Sequence, residues 1–186
     1  GQGDPASWTI LGDPTEAALQ VVARKAGLDA ATLAATPRIH ELPFEARRKL
    51  MSTVHRADEL IVYTKGAPSE VLARCVAIRL DGQDVPLDEQ RRAAVRAAKD
   101  QFARDGLRVL GVATRRLPAG QPLHCADAIE RELVFLGLAA MYDPPRPEVA
   151  AAVAQCHRAG IRIVMITGDD GLTAESIARR LAIVQD

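Results

Sequence analysis

The sequence predicts a mixed α/β protein made of two unlike parts, and three observations carry that expectation. Short β-rich runs recur as hairpins in the first part, 50–55 with 60–64 and 76–80 with 83–85. Helical stripes are interleaved with those hairpins. After Asp143-Pro144-Pro145-Arg146-Pro147 the order changes to helix, strand, loop, helix, the grammar of a doubly wound α/β domain. The expected division is therefore 1–142 and 143–186, and the second part is incomplete because one parallel strand makes no sheet.

Taken in order, residues 7–11 read as a short strand and Asp13-Pro14-Thr15-Glu16 opens a helix. Asp13 caps, Pro14 suits the first helical position, and Glu16 falls at the third, a capping-box pattern. Leu19, Val22, Ala23 and Ala26 give that helix one apolar face, and Gly27 lies where helices end. The hairpin 50–64 turns through Arg56-Ala57-Asp58-Glu59. Residues 68–74 look helical, and Asp81-Gly82 marks a tight turn. Asp88 caps a long helix with Val95, Ala98 and Phe102 on one face. Its Arg91, Arg92, Arg96, Lys99 and Arg104 are expected to point mostly to solvent, and Gly106 stops it. Strands follow at 108–114 and 133–142, separated by a loop over 118–127. Beyond the prolines, Val149, Val153 and Cys156 stripe a helix that Gly160 ends. Residues 161–166 form an apolar run suited to a buried parallel strand, 167–171 a loop, and 173–181 a helix.

Composition removes several functions. With 24 Lys+Arg against 24 Asp+Glu and 48% hydrophobic residues in 186, the chain is neither collagen-like nor wholly disordered, and it lacks the basic field that holds nucleic acid. No apolar run approaches the roughly 20 residues that span a bilayer, and the opening GQGDPASWTI has no signal-peptide pattern, so a soluble chain is expected. Cys75, Cys125 and Cys156 are far apart and outside any C-x-x-C spacing. They support neither a disulfide framework nor a zinc cage and fit a reducing compartment. His40, His55, His124 and His157 are equally scattered, and no metal site is expected.

Three places carry chemistry, each with a plainer alternative. Thr167-Gly168-Asp169-Asp170-Gly171 follows the expected parallel strand, where open α/β sheets place ligands; its hydroxyl and carboxylates suit a phosphate with magnesium, or one aspartate simply caps the next helix. Lys65-Gly66-Ala67-Pro68 ends another strand, where a lysine and a glycine that admits close approach line a nucleotide pocket, or make an ordinary turn. Phe44, before Glu45-Ala46-Arg47-Arg48-Lys49, is a ring beside cations, suited to a stacked base and a neutralised phosphate chain, or to the core. No Walker loop, G-x-G-x-x-G or nucleophile triad is present.

In this order, GDPTEAAL (12–19), LPFEARRKLM (42–51), KGAP (65–68), GLRVL (106–110), DPPRPEV (143–149) and MITGDDGLTAESIARRL (165–181) resemble the cytoplasmic region of P-type cation-transporting ATPases, nearest the branch of calcium and sodium/potassium pumps. The resemblance spans nearly the whole chain. It implies that residues 1–142 are a nucleotide-binding domain, an antiparallel sheet flanked by helices, and that 143–186 re-enter a phosphorylation domain of the haloacid dehalogenase type. By resemblance, Phe44 stacks on adenine, Lys49 and Lys65 line the pocket, Glu16 with Thr15 beside it lies near the adenine edge, and Gly66 and Ala67 form pocket wall. Arg108 matches an arginine that reaches the phosphates, Thr167, Gly168 and Asp169 the loop that meets the terminal phosphate, and Asp143 and Arg146 the interdomain hinge.

Three positions depart from the family pattern: Ala46, often polar in relatives, Ser69, often glutamate after KGAP, and the extra carboxylate Asp170. The Asp-Lys-Thr-Gly-Thr motif bearing the phosphorylated aspartate is missing, as is the Gly-Asp-Gly-x-Asn-Asp magnesium motif. The expected function is thus that of an ATP-binding fragment of an ion pump. It presents ATP with Mg²⁺ to an aspartate outside the chain, works beside actuator and membrane domains on the cytoplasmic side, and holds no catalytic residue of its own. The alternative is a free-standing haloacid-dehalogenase-like phosphatase, for which only Asp143, followed by two prolines, offers a nucleophile.

Overall fold

The computed structural model describes residues 13–28, 30–118, 120–168 and 170–184. The expected strand at 7–11 and Asp169 lie outside the described residues. Two compact units divide between Pro37 and Arg38.

The first unit carries α1 (Pro14–Lys25) and α2 (Ala30–Ala34). α1 starts as its sequence dictates: the Asp13 carboxylate accepts from Thr15 N at 2.8 Å and Glu16 N at 3.1 Å, satisfying amides that lack helical partners. It ends in a Schellman arrangement, Leu28 N donating to Ala23 O and Gly27 N to Arg24 O, with Gly27 at φ 79°. The apolar face expected on α1 is not buried among the described residues, and Val22 is exposed. α2, an alanine-rich turn and a half, is not among the expected elements.

The second unit is a seven-stranded mixed sheet, ordered β1-β2-β3-β6-β7-β4-β5, flanked by helices. Its strands are β1 (Arg38–Glu45), β2 (Leu50–Arg56), β3 (Leu60–Gly66), β4 (Cys75–Leu80), β5 (Gln83–Pro86), β6 (Arg108–Leu117) and β7 (Leu133–Met141). Its helices are α3 (Pro68–Ala73), α4 (Glu89–Arg104), α5 (Ala126–Ile129), α6 (Val149–Arg158) and α7 (Gly171–Arg180). Both expected hairpins form, the second through Asp81 and Gly82 at φ 49° and 79°, the paired left-handed geometry of a type I′ turn. The sheet does not grow by hairpins alone, however: β4 lies beside β7 in parallel, with Cys75 opposite Leu133.

Alternation along β2 and β3 puts Leu50, Ser52, Val54, Val62 and Thr64 on the buried face. Two apolar clusters fill that side. One joins Leu50, Val71, Leu72, Cys75, Leu133 and Phe135 beneath α3. The other joins Leu42, Val54, Val62, Leu117 and Ile129 beneath α5. Burial also pushes the Cys75 thiol up to about 12, so it packs as an inert small hydrophobe.

Several expectations are corrected. β1 is not among the expected elements, because an edge strand burying Leu42 alone shows no alternation of polarity. α5 interrupts the expected loop. On α4, Arg92 does not face solvent: it donates to Leu72 O at 2.7 Å and Cys75 O at 2.6 Å, tying α4 to the α3–β4 corner. Residues 161–167 form no strand. A parallel strand needs neighbours on which to spend its amides and carbonyls, and this run has none here; Val164 is 71% exposed and Ile166 94%.

Candidate functional site

The backbone of the β1–β2 turn builds the centre of the site. Lys49 N donates to Glu45 O at 2.7 Å, and Lys49 takes a left-handed φ of 56° to bring the chain back into β2. The Lys49 carbonyl then accepts from Ala67 N at 3.0 Å, while Leu50 pairs with Gly66 and Met51 with Lys65. This approach demands glycine at 66: a Cβ there would lie 2.2 Å from the Lys49 carbonyl oxygen and 2.7 Å from Leu50 Cδ2. Two segments far apart in sequence, the run after Phe44 and the KGAP run, thus share one backbone junction.

Around the junction the ring and cations fall at one end of the sheet. Phe44 is at the close of β1 and is 64% exposed, so the ring is no core residue. Lys49 is exposed on the turn, and Lys65 is half-buried between Met51 and Val112. Gly66 also pairs with Gly111 of β6, which fixes the β6 start, and with it exposed Arg108, at the same end. Arg108 pairs with Met141, so β7 leaves the sheet there too and leads to exposed Asp143 and Arg146. Glu16 and Thr15 stand in the first turn of α1, in the other unit.

Thr167 and Gly168 are exposed in the segment before α7. The start of α7 is drawn to the β6 entrance, where Thr173 donates to Leu107 O at 3.1 Å, one residue before Arg108. Asp170 caps the helix through Leu172 N and also meets Lys99 Nζ at 2.8 Å. Lys99 is therefore, with Arg92, an exception to the expectation that the α4 cations point mostly to solvent. Its charge is shared between Asp100 and Asp170, which raise its pKa. The ammonium in turn holds the Asp170 carboxyl below the usual carboxylate range. A carboxylate with a depressed folded-state pKa stabilises above its unfolded value, about 3.9, and loses that contribution as pH falls through the folded value. Protection of the Leu172 and Ala174 amides is expected to stay flat from about pH 7 to 5 and to drop below about pH 4. Protection factors that do not change on acidification contradict this.

Sequence reading missed the group that holds the turn. Arg48 Nη1 donates to both carboxylate oxygens of Glu130, at 2.6 and 2.5 Å, its Nε to Glu45 at 2.8 Å and its Nη2 to Pro43 O at 2.9 Å. Ser52 Oγ donates to Glu130 at 2.7 Å and shares a 2.8 Å bond with Thr64. The Glu130 side chain is 2% exposed and that of Arg48 16%. The Glu130 hydrogen bond is the chief reason the Arg48 pKa is raised. Arg48 was visible as one of three cations after Phe44, but Glu130 lies 82 residues away and no spacing points to it.

One end of the sheet thus carries an exposed ring at Phe44, lysines at 49 and 65, and a close backbone approach at Gly66. A magnesium cage is a poor fit to the described residues. Asp170 is already paired, and no group of three or more His, Cys, Asp or Glu that could hold a metal occurs among them. No helix among them is long and apolar enough to cross a membrane.

Residues 1–148 match the family model described as the P-type ATPase cytoplasmic domain N, so the chain belongs to the P-type ATPases, through their cytoplasmic domain N. Within that family its relatives are transporters of cations. It is 44% identical to a cation-transporting ATPase of Synechocystis over 184 residues, 40% identical to a calcium-transporting ATPase of Listeria monocytogenes over 177, and 41% identical to a probable cation-transporting ATPase of Mycobacterium tuberculosis over 187. These alignments cover 96%, 94% and 98% of the chain, which spans about a fifth of the length of each relative.

Proposed function

We propose that this chain is the ATP-binding portion of an ATP-driven cation transporter and presents MgATP for phosphoryl transfer to an aspartate outside the sequence. Residues 1–142 are the nucleotide-binding domain, and 143–186 begin a haloacid-dehalogenase-like phosphorylation domain. Asp143 and Arg146 form the hinge between them. The observation that carries this reading is the Lys49–Ala67 junction, which gathers Phe44, Lys49, Lys65, Gly66 and Ala67 at one end of the sheet in a chain of this family.

In this reading adenine stacks on Phe44, and the phosphates run past Lys65 and Lys49 toward Arg108. Strands β1 and β6 are three places apart in the sheet, about 14 Å at the usual strand spacing, the length scale of an extended nucleoside triphosphate. Thr167, Gly168 and Asp169 meet the terminal phosphate once the rest of the phosphorylation domain is present, and magnesium arrives with the nucleotide. Such transfer depends on positioning and charge neutralisation. The chain holds none of the acceptor chemistry, so it binds without turnover, beside the actuator and membrane domains of a pump working at the cytoplasmic face.

Splitting the phosphate contacts between two domains makes binding weak, with Kd on the order of 0.1 to several mM, and nearly equal for ATP and ADP. Titration followed by amide chemical shifts tests this, with GTP as the comparison base. Phe44→Ala is expected to abolish most of the response, since base stacking contributes about 1–3 kcal/mol, whereas His157→Ala on α6 leaves it intact. A silent Phe44–Lys65 region at millimolar ATP refutes the proposal.

A further inference from the structure

We infer that Arg48 is a positioning residue for the nucleotide: clamped to buried Glu130, it fixes the 45–49 turn so that Phe44 and Lys49 meet the ligand, without touching the ligand itself. The inference rests on the nucleotide reading above and assigns a role to two residues outside the pocket.

All three guanidinium nitrogens of Arg48 are already bonded within the protein, to Glu45, Glu130 and the Pro43 carbonyl. Four of its five N–H donors are taken up in this way, and two of the three acceptors are carboxylates, so a phosphate reaching the remaining Nη2–H would meet negative charge already seated on the group. Its partners also straddle the ring, for Pro43 precedes Phe44 and Glu45 follows it. The clamp therefore holds the Pro43 backbone on one side of the stacking residue and the Glu45 side chain on the other, and Glu45 O in turn accepts from Lys49 N in the turn. Its other end is anchored in the fold. Glu130 follows α5, and its carboxylate reaches the middle of the sheet through Ser52 and Thr64, between the two apolar clusters. A planar fork serving three acceptors has no substitute in a single ammonium, so lysine at 48 keeps the charge beside Glu130 but cannot hold all three.

The test uses the whole 186-residue chain. Arg48→Lys is expected to retain the native circular dichroism spectrum, to broaden and shift the amides of residues 44–49, and to weaken ATP binding about tenfold, because small misplacements of positioned groups have large effects. Glu130→Gln, which keeps the shape and a partner for Ser52, is expected to do the same and serves in place of Arg48→Lys should that variant not fold. Val62→Ala is the control: it removes core volume on the same sheet face and is expected to leave affinity within about twofold of wild type. Wild-type binding with affinity within about twofold in Arg48→Lys overturns this inference alone. Equal weakening by Val62→Ala also overturns it, by showing a general stability effect. A wild-type chain that gives no response at about 10 mM ATP instead overturns the nucleotide reading, and the positioning role with it.

Discussion

Replacing Gly66 by alanine is expected to destabilise the second unit by about 3 kcal/mol and to abolish the response to ATP together with it. Gly66 has no left-handed backbone to defend; the difficulty is space. The new methyl group would meet the Lys49 carbonyl oxygen at 2.2 Å, Leu50 Cδ2 at 2.7 Å and Leu50 Cα at 2.9 Å. Two of these are backbone atoms in a paired strand and its turn, so no rotamer change relieves them. The junction must open, which breaks the bond from Ala67 N to Lys49 O and separates the turn from the KGAP segment. Overpacking typically costs about 1–3 kcal/mol, and the immobility of the obstruction puts this site at the upper end. Gly82→Ala is the informative contrast, since nothing lies within 4 Å of its would-be Cβ and only its positive φ resists substitution. A fall in the urea midpoint no larger for Gly66→Ala than for Gly82→Ala would show that the junction has more room than its geometry indicates.

Glu130→Ala is expected to destabilise the unit by a similar amount, near the low end of the roughly 3–5 kcal/mol found when one partner of a buried ion pair is removed. The truncation strands the Arg48 charge in a largely dry position and takes the acceptor from Ser52 Oγ, although Arg48 keeps Glu45 and the Pro43 carbonyl. Most of that cost is the desolvation of a charge left with a single, exposed carboxylate partner, Glu45. It follows that Arg48→Met combined with Glu130→Leu recovers stability relative to Glu130→Ala, because two apolar groups of like volume need no partners. Urea unfolding of the single and double variants measures the difference. A double variant less stable than Glu130→Ala alone contradicts the account. Nucleotide affinity is not expected to return with stability, since the Glu130 anchor of the clamp is absent in both.

Local chemistry made much of the fold legible. Asp13 and Asp88 cap the helices they precede, Asp81-Gly82 turns the hairpin it predicts, and Pro68 opens α3. Each involves residues a few positions apart, where propensity and hydrogen bonding act without help from the rest of the chain. β1 was hidden because an edge strand with one buried residue has no alternation to read. The run 161–166 misled for the opposite reason: it has the apolar character of a buried strand without the neighbouring strands that give such a run its structure. Arg92 and Lys99 looked like solvent residues because charge alone does not reveal a carbonyl or carboxylate supplied by another element.

By itself the sequence determined where helices and hairpins begin, that a ring and several cations lie together in one run, and which family the chain resembles, since all of these are written in short segments. Only the tertiary structure decided that the Phe44 turn and the KGAP segment meet over Gly66, that β4 runs parallel to β7, and that Glu130 reaches across 82 residues to hold Arg48. The physical reason is range. Capping and turn energies are fixed by neighbours in the chain, whereas steric admission at a glycine and compensation of a buried charge depend on which distant segment folding brings alongside.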